Sequence, residues 1–145
     1  MRKLAIDRAG LEILHLGDCF ELLETVPVGR IGFLEGGEVV ILPVHFLVDG
    51  QDVVFRTGAG SKLSAVETGH YVGFEADSYD GAAGTGWSVV VNGLAEVVDG
   101  AEEAARLDAF GLSSWGGGAS GRVWVRIRPS SITGRRIAAA SPGQE

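Results

Sequence analysis

Two glycine turns set the scale of this fold. Glu35-Gly36-Gly37-Glu38 and Asp49-Gly50 stand on either side of a largely apolar run, Val39 to Val48. A two-residue turn that matches the twist of its strands needs backbone angles that glycine adopts without strain, so these are hairpin signals. The run between them is a strand paired antiparallel with both of its sequence neighbours, Gly29 to Leu34 and Asp52 to Thr57. Three more stretches read as strands: His70 to Ala76, the Val-rich Trp87 to Val98, and Arg122 to Arg128, which alternates with period two. Six strands joined mainly by hairpins form a mainly β fold, a small closed or split barrel with an antiparallel sheet.

Short helices flank the strands. Asp18 with Glu21 forms a capping box for the first, which Pro27 ends. Ser61 caps a second through about Glu67, stopped by Gly69. Ala101 to Phe110 is a third. The chain of 145 residues reads as a single domain, 1–145, with 1–28 a lead-in carrying the first helix and 134–145 an irregular tail. Ser78 to Gly86 reads as a polar loop.

Composition excludes several classes. A net charge of −7 argues against non-specific nucleic-acid binding, which runs on excess Lys and Arg. No apolar run approaches the ~20 residues of a membrane-spanning helix, and the first residues lack the long apolar stretch of a signal peptide. Cys19 is the one cysteine and falls in an apolar helix pattern, so it reads as a core residue in a reducing, cytoplasmic setting.

The chemistry concentrates after the second turn. Arg56 and Thr57 lead through Gly58-Ala59-Gly60 to Ser61-Lys62 at a helix start. Two cations, two hydroxyls and the orphan N–H groups of a helix N-terminus suit a phosphate dianion. A solvated turn with incidental cations is the competing reading. Pro43-Val44-His45 interrupts the long strand with a residue that cannot donate to a ladder, which marks an edge or bulge. There an opened strand offers backbone groups to a planar ligand; a barrel corner with a half-buried histidine is the alternative. Trp87 can wall off an aromatic ligand or pack in the core, with Ser88 on the opposite face. The acidic stretch Glu75 to Asp80 reads as solvated loop rather than metal or acid/base site. No histidine has metal-ligand spacing, and no nucleophile–base arrangement is readable.

The run GRIGFL, LPVHFLVDG, VVFRTGAGSKL and GWSVVVNGLAEVV, in that order between Cys19 and Ile132, resembles the pyridoxamine 5'-phosphate oxidase-like family of flavin-binding proteins, nearest its small nitroimidazole-resistance-like members. The resemblance implies a six-stranded antiparallel split β-barrel that forms a homodimer with flavin mononucleotide (FMN) at the interface. Arg56, Thr57, Ser61 and Lys62 would hold the phosphate. Leu42, Pro43, Val44 and His45 would line the ring, partly through backbone atoms. Trp87 and Ser88 would reach it from the other subunit, Ser88 standing where the oxidase typically has glutamine. The oxidase's longer C-terminal substrate segment has no counterpart here, which argues against pyridoxamine phosphate as substrate.

The function implied is a flavin-dependent oxidoreductase acting on a small molecule, with no catalytic side chain nameable because the flavin carries the electrons. The alternative is a non-catalytic module that binds or stores flavin, deazaflavin or haem. A deazaflavin's longer acidic tail asks for a basic groove, for which Arg126, Arg128, Arg135 and Arg136 are the candidates. A cofactor-free interaction protein is a third reading.

Overall fold

In a computed structural model of the chain, residues 3–58, 69–112 and 122–138 are described. They form seven strands and two helices: β1 Leu11–Ile13, α1 Leu16–Leu23, β2 Val28–Glu35, β3 Glu38–Asp49, β4 Asp52–Gly58, β5 His70–Asp80, β6 Thr85–Val97, α2 Ala101–Asp108 and β7 Arg122–Ile137. The helix expected from Ser61 lies outside the described residues.

The sheet order is β1-β7-β4-β3-β2-β5-β6, and an additional β6–β7 pairing closes β2 to β7 into an antiparallel barrel. The glycine turns do what the sequence requires of them. Gly36 and Gly37 both have positive φ (56° and 83°) and join Glu35 to its register partner Glu38.

The lead-in supplies the strand beyond the expected six. β1 pairs with Ile137, Arg136 and Arg135, so β7 runs on through residues expected to be an irregular tail. The β5–β6 hairpin is also longer than expected. Its strands reach Asp80 and resume at Thr85, leaving a short turn where a loop was read. The extension is polar and exposed, so no apolar alternation marks it.

Asp18 corrects one helix detail. It is not the cap of α1 but its third residue, and its carboxylate accepts the backbone N–H of the cap, His15 (3.2 Å). Cys19 and Leu23 are buried beneath α1, and burial pushes the Cys19 thiol above its ordinary pKa. Opposite them is Gly134, where a Cβ would stand 2.6 Å from the Cys19 sulfur.

Side chains that alternate inward fill the barrel. Ile31, Phe46, Phe55, Phe74, Val91 and Ile127 belong to one cluster, with Phe46 and Phe74 edge-to-face at 4.9 Å. Each such burial contributes roughly 1.5–3 kcal/mol. Outside the barrel α2 covers a second cluster, Val54, Leu107 and Trp124.

Candidate functional site

β3 and β4 part company at one end. Their ladder holds four register pairs, from Asp49↔Asp52 to Phe46↔Phe55, and no further pair joins them among the described residues. Beyond Phe46 the β3 arm carries His45, Val44, Pro43 and Leu42, paired only with β2. Beyond Phe55 the β4 arm carries Arg56 and Thr57, paired with Trp124 and Val123 of β7. Two stretches singled out in the sequence therefore flank a single fork. Pro43 sits on an edge left open there, which its missing N–H tolerates.

Alternation divides these residues between two faces. On β3, Val44 is buried and Leu42 packs against the barrel core, while Pro43 and His45 are half-buried on the other face. On β4, Thr57 is buried, whereas Arg56 is turned outward toward α2. The Arg56 and Thr57 side chains thus do not converge on one point. Ser61 and Lys62 lie outside the described residues.

Arg56 has donors to spare. Its guanidinium carbon lies 5.4 Å from the centre of the Trp124 ring, and Nη1 donates to the Leu112 carbonyl at 3.3 Å. Nε is buried with no hydrogen-bond partner among the described residues. A buried, unsatisfied donor on a cation is costly unless an acceptor meets it, so Arg56 fits an anion at the fork.

Trp87 and Ser88 are elsewhere. Trp87 is in register with Arg136 on β7 and Arg56 with Trp124, twelve residues apart on the same strand. At ~3.3 Å per residue that is roughly 40 Å measured along the path of a strand that wraps the barrel. Trp87 packs against the barrel core, and Ser88 falls on the outer face opposite Asp77. Within one chain these two residues do not meet the fork.

The sequence reading missed a charged cluster on that outer face. Arg30 of β2, the register partner of Pro43, reaches both Glu75 and Asp77 of β5 at 3.4 Å. The Glu75 carboxyl is pushed up to about 7, chiefly by partial burial and then by neighbouring Asp77, against the opposing pull of Arg30. Glu75 and Asp77 are strand residues aimed at one cation, not members of a solvated loop. Only the pairing of β2 with β5 reveals this.

Each arginine considered for a basic groove has at least one carboxylate partner. Arg126 is 8% exposed and bonds Asp49 (2.8 Å), Asp52 (2.9 Å) and Glu103 (2.6 Å). Arg128 pairs with Glu96, Arg135 with Asp7 and Arg136 with Glu12. Trp124 is a packing residue whose indole N–H donates to Asp108 at 2.7 Å. Among the described residues no group of three His, Cys, Asp or Glu is placed to hold a metal, and no helix is long and apolar enough to cross a membrane.

Known proteins share this arrangement of elements. A family profile described as pyridoxamine 5'-phosphate oxidase matches residues 16–136. The uncharacterised protein Rv0080 of Mycobacterium tuberculosis is 39% identical over 145 aligned residues, covering 94% of this chain and 93% of that protein. Two solved structures are each 34% identical. One is a candidate pyridoxamine 5'-phosphate oxidase of Corynebacterium glutamicum, with TM-score 0.76 and 94% and 100% of the two chains covered. The other is an FAD-binding protein of Mycobacterium smegmatis, with TM-score 0.69 and coverage of 88% and 99%.

Proposed function

The chain belongs to the pyridoxamine 5'-phosphate oxidase family, and on that premise we propose that it binds a flavin, FMN, as a homodimer and acts as a flavin-dependent oxidoreductase on a small molecule. The observation that carries the reading is the fork between β3 and β4. It sets an open strand edge, Leu42 to His45, beside a cation whose Nε is buried and unpaired among the described residues.

Arg56 and Lys62 supply the positive charge for the phosphate, with the Ser61 hydroxyl adding a donor. Thr57 is a wall of the fork, since its side chain is turned into the barrel. Pro43 and His45 present their outer face and the open strand edge to the ring. Bound flavin supplies hydride or electron transfer. The protein's part is to seat it, orient it and keep water from one face.

The separation of the fork from Trp87 and Ser88 within one chain supports the homodimer reading. Trp87 and Ser88 of the partner subunit complete a fork that this chain's own copies do not approach. A surface suited to pairing is present. Leu34, Val39, Ile41 and Tyr71 are each 67–71% exposed on the outer face of β2, β3 and β5. Gly32 and Gly73, register partners between them, leave that face flat. Exposed apolar patches of this kind mark interaction surfaces.

FAD is the second cofactor reading, favoured by the FAD-binding relative at 34% identity. Deazaflavin is the third cofactor reading; of its four candidate arginines Arg126 is buried among three carboxylates, while Arg128, Arg135 and Arg136 each pair with one. A module that holds flavin without turnover is the second functional reading. The test is the absorbance spectrum of the purified protein, followed by chromatography of the released chromophore and anaerobic reduction with NADH or NADPH. An FMN spectrum with turnover on quinone or nitroaromatic acceptors supports the oxidoreductase. FMN without turnover leaves the module, and failure to bind any flavin overturns the reading.

A further inference from the structure

A preformed cleft of about 900 Å³ opens beside Trp87. Its walls are two hairpins. One is the N-terminal segment, in which Asp7 ties its own turn by accepting the N–H groups of Ala9 and Leu11, both at 2.9 Å. That segment is pinned to β7 by strand pairing and by the Arg135–Asp7 ion pair. The other wall is the overhanging tip of the β5–β6 hairpin, closed by Asp80, which accepts the N–H groups of Ala82 and Ala83 at 3.0 and 3.2 Å. Between the walls lie Trp87 and its register partner Arg136.

The groups left over in this cleft define its ligand. Leu4, Ile6, Ile137 and the Trp87 indole make it largely apolar. Its two carboxylates are engaged: Asp80 with the turn, and Glu12 with Arg136 through Nε at 3.0 Å. Both cations keep free donors. The terminal nitrogens of Arg136 have no partner among the described residues, nor does the Lys3 ammonium. Barrel mouths of this size, apolar with a few convergent charges, are common ligand sites.

We propose that this cleft binds a small, planar, largely apolar monoanion, such as an aromatic carboxylate, with the ring against Trp87 and the anionic group between Lys3 and Arg136. The existence of the pocket does not depend on flavin binding. Its role does: Trp87 is also the residue assigned to the partner's flavin, so a ligand here lies beside the electron carrier, where a substrate or acceptor belongs.

The test is calorimetric titration of the full chain with 2-naphthoate and with its neutral isostere 2-naphthamide, before and after loading with FMN. The expected result is one naphthoate per chain, with naphthamide binding about tenfold weaker. Lys3→Gln and Arg136→Gln should each weaken naphthoate several-fold and leave naphthamide unchanged. Lys3→Gln changes an exposed residue outside the barrel, so it reports even where Arg136→Gln disturbs folding. Equal affinity for acid and amide, absence of saturable binding, or displacement of bound FMN by naphthoate overturns the proposal. Flavin loading is read separately by absorbance, so failure of the pocket and failure of the flavin reading are distinguishable.

Discussion

Arg56 lies over the ring of Trp124, its register partner on β7, at 5.4 Å, and keeps Nε buried without an acceptor among the described residues. The indole holds the guanidinium at the mouth of the fork while leaving hydrogen-bonding capacity unused. Arg56→Gln is therefore expected to weaken FMN binding by roughly 10- to 100-fold, the loss of one charge-assisted contact. Riboflavin, which lacks the phosphate, should bind the native and variant proteins equally. Fluorescence titration of both ligands checks this, and an equal loss for both would place Arg56 away from the phosphate.

Ile41 is exposed on β3 two residues from Pro43, so the apolar face and the fork share one strand. A charge planted in the middle of a packed apolar interface is strongly disfavoured. Ile41→Asp is expected to convert a dimer to a monomer and to lose flavin together with it, although Ile41 is not itself assigned to the flavin. Light scattering after size-exclusion chromatography, with absorbance recorded on the same peak, measures both. A variant monomer that still binds flavin with native affinity would show that one chain suffices.

What could be read from the sequence is what local chemistry determines. Gly36-Gly37 and Asp49-Gly50 specify their turns through backbone angles, and Pro43 specifies an open edge through its missing N–H. The strand end Leu11–Ile13 was not legible, because three residues carry no period and their partner Arg135–Ile137 lies at the far end of the chain. Period two placed Trp124, Arg126 and Arg128 on one face but could not say that α2 covers it. Arg126, a candidate for a basic groove in the sequence, is instead buried among three carboxylates. The fork was half legible: both arms were named, but the opposite facing of Arg56 and Thr57 was overlooked, though strand alternation already implied it.

Arg126 joins the β3–β4 turn to α2 through Asp49, Asp52 and Glu103. Removing one member of such a network leaves partly buried charges without compensation. Arg126→Ala is expected to cost about 2–4 kcal/mol in urea unfolding. The Asp49 carboxyl is held down at about 2, chiefly by its hydrogen bonds from Arg106 and then Arg126, against an ordinary 3.8. A depressed carboxyl pKa stabilises the fold above the unfolded value and loses that contribution as pH falls through about 2. Asp49→Asn should therefore flatten the fall in stability between about pH 4 and 2, read as melting temperature against pH, and an unchanged acid limb would contradict the assignment.

Glu75 works in the opposite direction. Its carboxyl is raised to about 7 from an ordinary 4.5, by partial burial and by Asp77, with Arg30 only partly offsetting them. A raised pKa means the folded protein prefers the neutral acid. The stabilisation is complete below about pH 4.5 and is lost as pH rises through 7, where the fold must carry a carboxylate that it disfavours. Glu75→Gln mimics the neutral acid, so the variant should match the native protein at pH 4 and melt at a higher temperature at pH 8. Asp77→Asn should shift the same transition to lower pH by removing the like charge, whereas Arg30→Gln should shift it to higher pH by removing the cation. Because Arg30 is the register partner of Pro43, the same three variants are expected to move the pH dependence of flavin affinity in the same order. Melting curves and flavin titrations taken between pH 4 and 8 test both. A Glu75→Gln protein less stable than native at pH 8 would show that the ion pair with Arg30, and not the strain of the buried carboxylate, governs this face.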